Sequence, residues 1–332
     1  MNEPKICVAG LGGVGGLIAA RLARSGRQVS ALARGANLAA VRERGLTLVD
    51  GAAEARQTST VSIKASDDPA ELGHQDLLIV AVKTTALEAL AQSIGPLIGP
   101  NTAVVTAMNG VPWWFFSRIG GRWQGTSLKA CDPNGTLARV MPVAQVIGCV
   151  VHLSAAMTEP GVVTHRAGDR LIIGAPGGMA HPLLAPLAAA LSDAGFQTEH
   201  TAQIELEAWL KLWGNMTVNP ISVLTGATGD LILDDDFVRA YMSASMREAV
   251  QIGEAIGLPI DMTPDQRHAV TRKLGALRTS MLSDAQAGKP LELDALVGAV
   301  VEMGRMTSVP TPAIDSLFGL ARLYGRVHGV YS

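Results

Sequence analysis

An α/β domain followed by an all-helical domain is the fold class this sequence predicts, and three observations carry it. Gly10-Leu11-Gly12-Gly13-Val14-Gly15 sits between a short apolar run and an alanine-rich helical run. Continuous apolar runs at residues 76–82 and 102–106 alternate with helical patterns through the first third, as strands buried on both faces of a parallel sheet do. From about Ala202 the strand signals fade and long helical patterns take over. The boundary is therefore expected near residue 201, dividing a Rossmann-type dinucleotide-binding domain, 1–201, from a helical domain, 202–332.

The first strand is Ile6-Cys7-Val8-Ala9. The turn after it fits G-x-G-x-x-G. Gly10 permits the tight turn, Gly12 lets the backbone approach a pyrophosphate, and Gly15 lets the helix pack close to the sheet. The helix N-terminus then offers free N–H groups and the positive end of its dipole. Strand, glycine turn and helix in that order are the context this motif needs to mean dinucleotide binding. The second strand, Gln28 to Leu32, ends at Ala33-Arg34. An acid there would bond the ribose 2′-hydroxyl of NAD. A guanidinium suits the 2′-phosphate of NADP instead, through its planar fork of donors and its permanent charge. NADP(H) is the expected cofactor, with Arg34 selecting it.

A helix then closes at Gly45, and 46–49 with 58–63 read as short strands in a hairpin or crossover. The buried strand at 76–82 stops at Lys83-Thr84, and a helix is expected from about Thr85 to Ile94. The next strand ends at Met108-Asn109-Gly110. Lys83 and Asn109 thus lie beyond the carboxyl ends of their strands, where ligands bind in open α/β sheets. Pro112-Trp113-Trp114-Phe115-Phe116 is dense in rings for a chain that is 4% aromatic. It reads as a cap over the cofactor, a subunit contact, or ordinary core. Residues 146–154 and 161–165 read as antiparallel strands closing the sheet edge, with a turn at Ala167-Gly168-Asp169 before a strand at 171–174. A helix over 182–193 and a strand at 196–199 complete the first domain. Helical patterns then span 202–224 and 236–256, the second closed by Gly257. Thr263-Pro264 and Thr311-Pro312 each place a threonine N-cap before a first-turn proline.

Length and composition narrow the function classes. At 332 residues the chain suits two cores, and 48% hydrophobic with 17% charged residues makes it globular. A net charge of −2 gives no electrostatic case for nucleic acid or a membrane surface, and no apolar run reaches the length of a membrane span. Cys7, Cys131 and Cys149 form no C-x-x-C, and the histidines are scattered. Neither a metal site nor a disulfide framework is expected, and a reducing, cytoplasmic setting fits. The N-terminus enters strand one directly, so no signal peptide is expected. The oligomeric state is not fixed by the sequence, and a homo-oligomer is left open.

The chemistry should lie on the helix around Trp209-Leu210-Lys211-Leu212-Trp213. That helix is mostly apolar, yet Lys211, Asn215 and Asn219 recur every four residues, with Glu207 one turn upstream. Residues four apart share a helix face. A polar line along a buried helix is costly unless its members bond protein groups or face a polar ligand. Pro220 follows at once and removes the helical donor for the Met216 carbonyl. An ammonium in a partly dry site is a workable proton donor near neutrality and attracts carboxylates. A neighbouring acid would fix its position. The candidate is Glu292, which precedes an apolar helix running to about Thr307, where the helix dipole also favours a carboxylate.

Taken together, Gly10–Gly15, Arg34, Val82-Lys83-Thr84, Met108-Asn109-Gly110, Lys211 with Asn215 and Asn219, Ser280-Met281-Leu282 and Glu292 resemble the ketopantoate reductase family over nearly the full chain. The resemblance implies NADPH-dependent reduction of a small 2-oxo acid, ketopantoate above all, to its 2-hydroxy acid in pantothenate biosynthesis. It implies that Gly10, Leu11, Gly12, Gly13, Val14, Gly15, Arg34, Lys83, Asn109 and Ala155, the last on an edge strand, hold NADP(H). Lys211 would protonate the ketone oxygen and touch the substrate carboxylate, with Glu292 orienting it. Asn109, Asn215, Asn219 and Ser280 would bind the oxo acid. The pattern departs from the family at Ala227-Thr228-Gly229-Asp230, where members often carry a further asparagine. A paralogous hydroxyacid or opine-type dehydrogenase, and an NADP(H) sensor without catalysis, are the competing readings.

Overall fold

The computed structural model describes residues 3–51 and 56–332. The chain forms two compact units: residues up to Met108 with Gly135–Ile204, and Asn109–Asn134 with Glu205–Ser332.

The first unit runs in chain order as β1 (Ile6–Ala9), α1 (Gly13–Arg24), β2 (Val29–Leu32), α2 (Gly35–Arg44), β3 (Leu46–Asp50), β4 (Gln57–Val61), β5 (Lys64–Ser66), α3 (Pro69–Leu72), β6 (Gln75–Val80), α4 (Leu87–Ala91), β7 (Ile98–Ala107), α5 (Thr136–Val140), β8 (Val146–Glu159), β9 (Val162–Gly174), α6 (Leu184–Asp193) and β10 (Gln197–His200). The strands form one sheet in the order β4-β3-β9-β8-β7-β6-β1-β2-β5, with β10 paired to β9. From β5 to β8 every pair is parallel. That is the Rossmann strand order, and it reverses between β1 and β6. Gly10 (φ +102°) turns the chain at this reversal, where an added Cβ would sit 2.6 Å from a Val82 methyl. Both faces are packed: Leu77, Leu78, Ile79 and Val80 of β6 are all buried.

Several expectations change here. Of the two readings for 46–49 and 58–63, the hairpin holds, as β3–β4, and β3 pairs in parallel with β9. The third Rossmann strand is the three-residue β5, too short to show a periodicity. The helix expected over 85–94 is a 3₁₀ turn followed by the short α4. β8 is an interior strand, parallel to β7 and antiparallel to β9, so Ala155 does not lie on an edge. No turn interrupts β9 at Gly168. That residue adopts φ +70° within the strand, where a Cβ would meet the His152 carbonyl oxygen at 2.5 Å. The β8–β9 register shifts opposite it, between His152 and Ala155, as a bulge does.

The second unit continues with α7 (Ile204–Thr225), α8 (Gly229–Asp234), α9 (Asp236–Ile256), α10 (Pro264–Arg272), α11 (Ser280–Gln286), α12 (Ala299–Thr307) and α13 (Pro312–Val327). α12 is preceded by one π-helical turn, Asp294–Gly298. α9 ends as predicted at Gly257, in the left-handed conformation. Thr263 caps α10 in a full capping box with Gln266. Thr311 does not cap α13. Its hydroxyl donates to Asp315, and the Glu248 carboxylate accepts the N–H groups of Ala313 and Ile314 instead, both at 2.9 Å.

Residues 109–134, placed by sequence in the first domain, belong to this unit. Glu302 accepts the N–H groups of Lys129 and Ala130, and the Trp123 indole donates to the Ala255 carbonyl at 3.0 Å. Trp113, Trp114, Phe115 and Phe116 are all buried, and both phenylalanines pack in one core with Trp209 and Trp213. The aromatic segment is therefore core. No described helix is long and apolar enough to cross a membrane.

Candidate active site

The first unit supplies a phosphate cradle. Gly12 caps α1 without any side-chain bond, and the first turn holds no acid. Gly16 donates to the Gly12 carbonyl at 2.8 Å, so the N–H groups ahead of it point out of the helix end. A Cβ on Gly13 would lie 2.1 Å from the Ala155 carbonyl oxygen, and one on Gly15 2.0 Å from that of Gly10. These two glycines are demanded by packing. At Gly12 a Cβ would meet nothing within 4 Å, so the backbone there is open to a close-lying phosphate.

Arg34 is exposed and forms the N-cap of α2, beyond β2. Among the described residues it makes no ion pair. Asn37 sets its distance from the turn, donating to the Leu11 carbonyl at 3.1 Å while its side-chain oxygen accepts the Gly161 N–H at 3.2 Å. Sequence reasoning missed Asn37. Its only trace is a polar residue on the first turn after Arg34. Lys83 is half-buried at the head of the 3₁₀ turn Thr84–Ala86, beyond β6. Open backbone at a helix N-terminus and a free guanidinium at the end of β2 fit a dinucleotide with a 2′-phosphate.

The second unit supplies a polar line on α7. Lys211 Nζ donates to Asn109 Oδ1 at 2.7 Å. Asn109 is itself held by its neighbour. Gly110 has φ +81°, and a Cβ there would be 2.8 Å from Ala295, whose carbonyl accepts the Val111 N–H at 2.8 Å. The loop bearing Asn109 thus docks on the π turn that begins just after Glu292. Glu292 is buried, 9% exposed, and its carbonyl accepts the Leu296 N–H at 3.2 Å. Single π turns inside helices concentrate at functional sites. Lys211, Asn109 and the Glu292 segment, far apart in sequence, therefore converge.

Asn215 is half-buried and Asn219 is 5% exposed. Among the described residues neither side-chain amide has a protein hydrogen-bond partner. Their neighbours differ: the Thr217 hydroxyl donates to the Gly214 carbonyl and the Ser222 hydroxyl to the Asn219 carbonyl. Buried amides left unpaired by the protein cost free energy unless a ligand or water meets them.

Pro220 does not end α7, which runs on to Thr225. One turn past the proline gap, Ser222 lies 2.6 Å from the Thr279 hydroxyl, and Thr279 caps α11 by accepting the Leu282 N–H. This pair places Ser280, exposed at the first position of α11, relative to α7. The sequence signal for Thr279 was a threonine immediately before a helical run. At 227–230 the Thr228 hydroxyl donates to Asp230, so this stretch offers no amide where the family pattern has one.

Comparison with known proteins gives the chain's family. Residues 6–113 match the family model described as ketopantoate reductase PanE/ApbA, and 203–325 match its C-terminal model. A 2-dehydropantoate 2-reductase of Mesorhizobium japonicum is 40% identical over 99% of this chain and 100% of its own. A crystal structure from Ralstonia solanacearum, provisionally described as a ketopantoate reductase, superposes with a TM-score of 0.94 at 51% identity, covering 99% of this chain and 100% of the other. The ternary structure of D-mandelate dehydrogenase with NADH and anilino(oxo)acetate shares the fold, at TM-score 0.83 and 19% identity over 98% and 99% of the two chains. With both family models matched and a full-length relative at 40% identity, the chain belongs to the ketopantoate reductase family.

Proposed function

We propose that this chain uses NADPH to reduce 2-dehydropantoate to pantoate, a step of pantothenate biosynthesis. One observation carries the reading: an ammonium fixed by Asn109 at 2.7 Å heads a helix face whose next two side chains are amides without protein partners. A cation and two free amides in line suit a small anion that also carries a carbonyl and a hydroxyl. Relatives named 2-dehydropantoate 2-reductase support the substrate.

The cofactor, when bound, supplies the hydride. Gly10 to Gly15 with the α1 N-terminus hold its pyrophosphate, Arg34 its 2′-phosphate, and Lys83 and Ala155 line its site. Lys211 gives its proton to the ketone oxygen as negative charge develops there. Asn109 accepts one of the three ammonium N–H bonds and so aims the others. Glu292 orients the lysine. Asn215, Asn219 and Ser280 bind the oxo acid. Cys7, Cys131 and Cys149 form no disulfide among the described residues, which suits a reducing, cytoplasmic setting.

The test is a substrate panel with purified protein. NADPH consumption with 2-dehydropantoate alone is expected. Consumption only when an amino acid accompanies the oxo acid, as opine chemistry requires, contradicts the reading. So does NADPH binding without turnover on any oxo acid, the behaviour of a sensor. A larger branched 2-oxo acid belongs in the panel because residues 227–230 lack the asparagine. Faster turnover on it would keep the chemistry and change the substrate.

Cofactor choice gives a separate prediction. Arg34→Ala removes a charge-assisted contact worth about 1.5–3 kcal/mol. NADPH affinity should fall about 10- to 100-fold by fluorescence titration, while NADH affinity changes less than about twofold. Equal losses would remove the 2′-phosphate role.

A further inference from the structure

Position 214 of α7 is a glycine because an arginine occupies the space of its side chain. A Cβ there would lie 2.1 Å from one Arg267 Nη, 2.5 Å from Cζ and 2.7 Å from Nε. The guanidinium packs against the α7 backbone at Gly214, one helical turn from Lys211. Side chains three apart on a helix have Cβ atoms about 5–6 Å apart, so the Arg267 head neighbours the Lys211 stem.

Arg267 is half-buried on α10, and its one side-chain hydrogen bond is to the Thr271 hydroxyl, at 3.1 Å. Among the described residues no carboxylate lies within ion-pair distance. Burial alone pulls the guanidinium below its usual range, with no acid to offset it. Arg21, the one fully buried arginine among the described residues, is by contrast held by two aspartates. Arg267 also stands one turn from the N-terminus of α10, the end where a helix dipole disfavours a cation. A partly dry, acid-free guanidinium costs stability, and such costs are kept where a ligand supplies the missing anion.

We propose that Arg267 is a specificity-determining residue that binds the carboxylate of the 2-oxo acid, in place of the asparagine missing at 227–230. The proposal rests on reading the α7 face as the oxo acid site. The planar fork matches a carboxylate's two oxygens, which an amide does not.

The probe is oxamate, an unreactive 2-oxo carboxylate, titrated calorimetrically into the full-length protein with NADPH present. The wild type should bind it. Arg267→Gln should weaken binding about 10- to 100-fold, with Arg267→Lys intermediate. In turnover, Arg267→Gln should raise KM for the oxo acid by a similar factor with kcat changed less than about threefold. The preference for the free acid over its methyl ester should collapse. NADPH affinity should be unchanged, and the thermal midpoint equal to or above that of the wild type. Wild type that fails to bind oxamate overturns the proposal, as does Arg267→Gln with unchanged oxamate affinity. So does a variant that loses oxamate and NADPH binding together with a lowered midpoint, which marks a structural arginine. If the wild type reduces no 2-oxo acid, the proposed function fails, while the oxamate titration still decides Arg267.

Discussion

Lys211→Ala is expected to lower kcat by about a hundredfold or more, the usual scale for losing a general acid. The geometry makes the loss specific. Lys211 Nζ is bonded to Asn109 Oδ1 at 2.7 Å, and Asn109 is fixed by the Gly110–Ala295 contact, so the position of the proton donor is set. Alanine retains the helix and leaves Asn215 and Asn219 where they are. The cofactor residues Gly10 to Gly15 and Arg34 lie in the other unit, so NADPH affinity should hold within about twofold. Single-turnover oxidation of NADPH at saturating oxo acid measures the effect. Near-normal turnover in this variant would remove Lys211 as proton donor. A fall in NADPH affinity as large as the fall in kcat would make it a cofactor residue.

Arg21→Met is expected to destabilise the first unit by about 3–5 kcal/mol, the usual cost of removing one partner from a buried ion pair. Arg21 is 5% exposed on α1. It donates to Asp50 at 2.9 and 3.2 Å and to Asp169 at 2.6 Å, and its guanidinium lies 4.9 Å from the Phe196 ring centre. Through it α1 is joined to β3 and β9. The methionine keeps most of the stem packing, so what is lost is the charge.

Burial by itself would raise the Asp50 carboxyl, but bonds from Arg21, Arg24 and the Gly51 N–H outweigh it and hold the group well below the usual range. A carboxyl depressed in the folded state contributes stability above its unfolded value, near 3.8, and loses it as pH falls below that. The difference between wild type and Arg21→Met should therefore be full at pH 7 and shrink below about pH 4. Urea unfolding across that range reads it. A difference under about 1 kcal/mol at pH 7, or one that grows in acid, would contradict this account of the network.

What the sequence disclosed follows from how local each determinant is. β1, the glycine turn and α1 were legible because G-x-G-x-x-G between a strand and a helix is a local pattern, even though Gly10 and Gly13 make room for Val82 and Ala155 far along the chain. α9 was legible in its span and at its C-terminus, through left-handed Gly257, while the Asp235 side chain that caps its N-terminus passed unread. The i, i+4 spacing of Lys211, Asn215 and Asn219 survived because it is a property of one helix. Determinants that act at a distance were not legible. β5 is a strand only because β2 pairs with it. β9 stays continuous through Gly168 because the β8 register shifts to match. The aromatic segment became core because α7 presents Trp209 and Trp213 to it. Thr311 resembled a cap, but the Glu248 carboxylate reaches α13 from α9. Arg267 left no signal, since its role depends on a glycine 53 positions away on another helix.

The most direct test of the central claim is the fate of the hydride. NADPH deuterated at the transferred C4 position, incubated with the protein and 2-dehydropantoate, should give pantoate carrying one deuterium at C2 per NADPH consumed, read by mass spectrometry. Pantoate without the label, or NADPH consumed with no pantoate formed, would contradict the account.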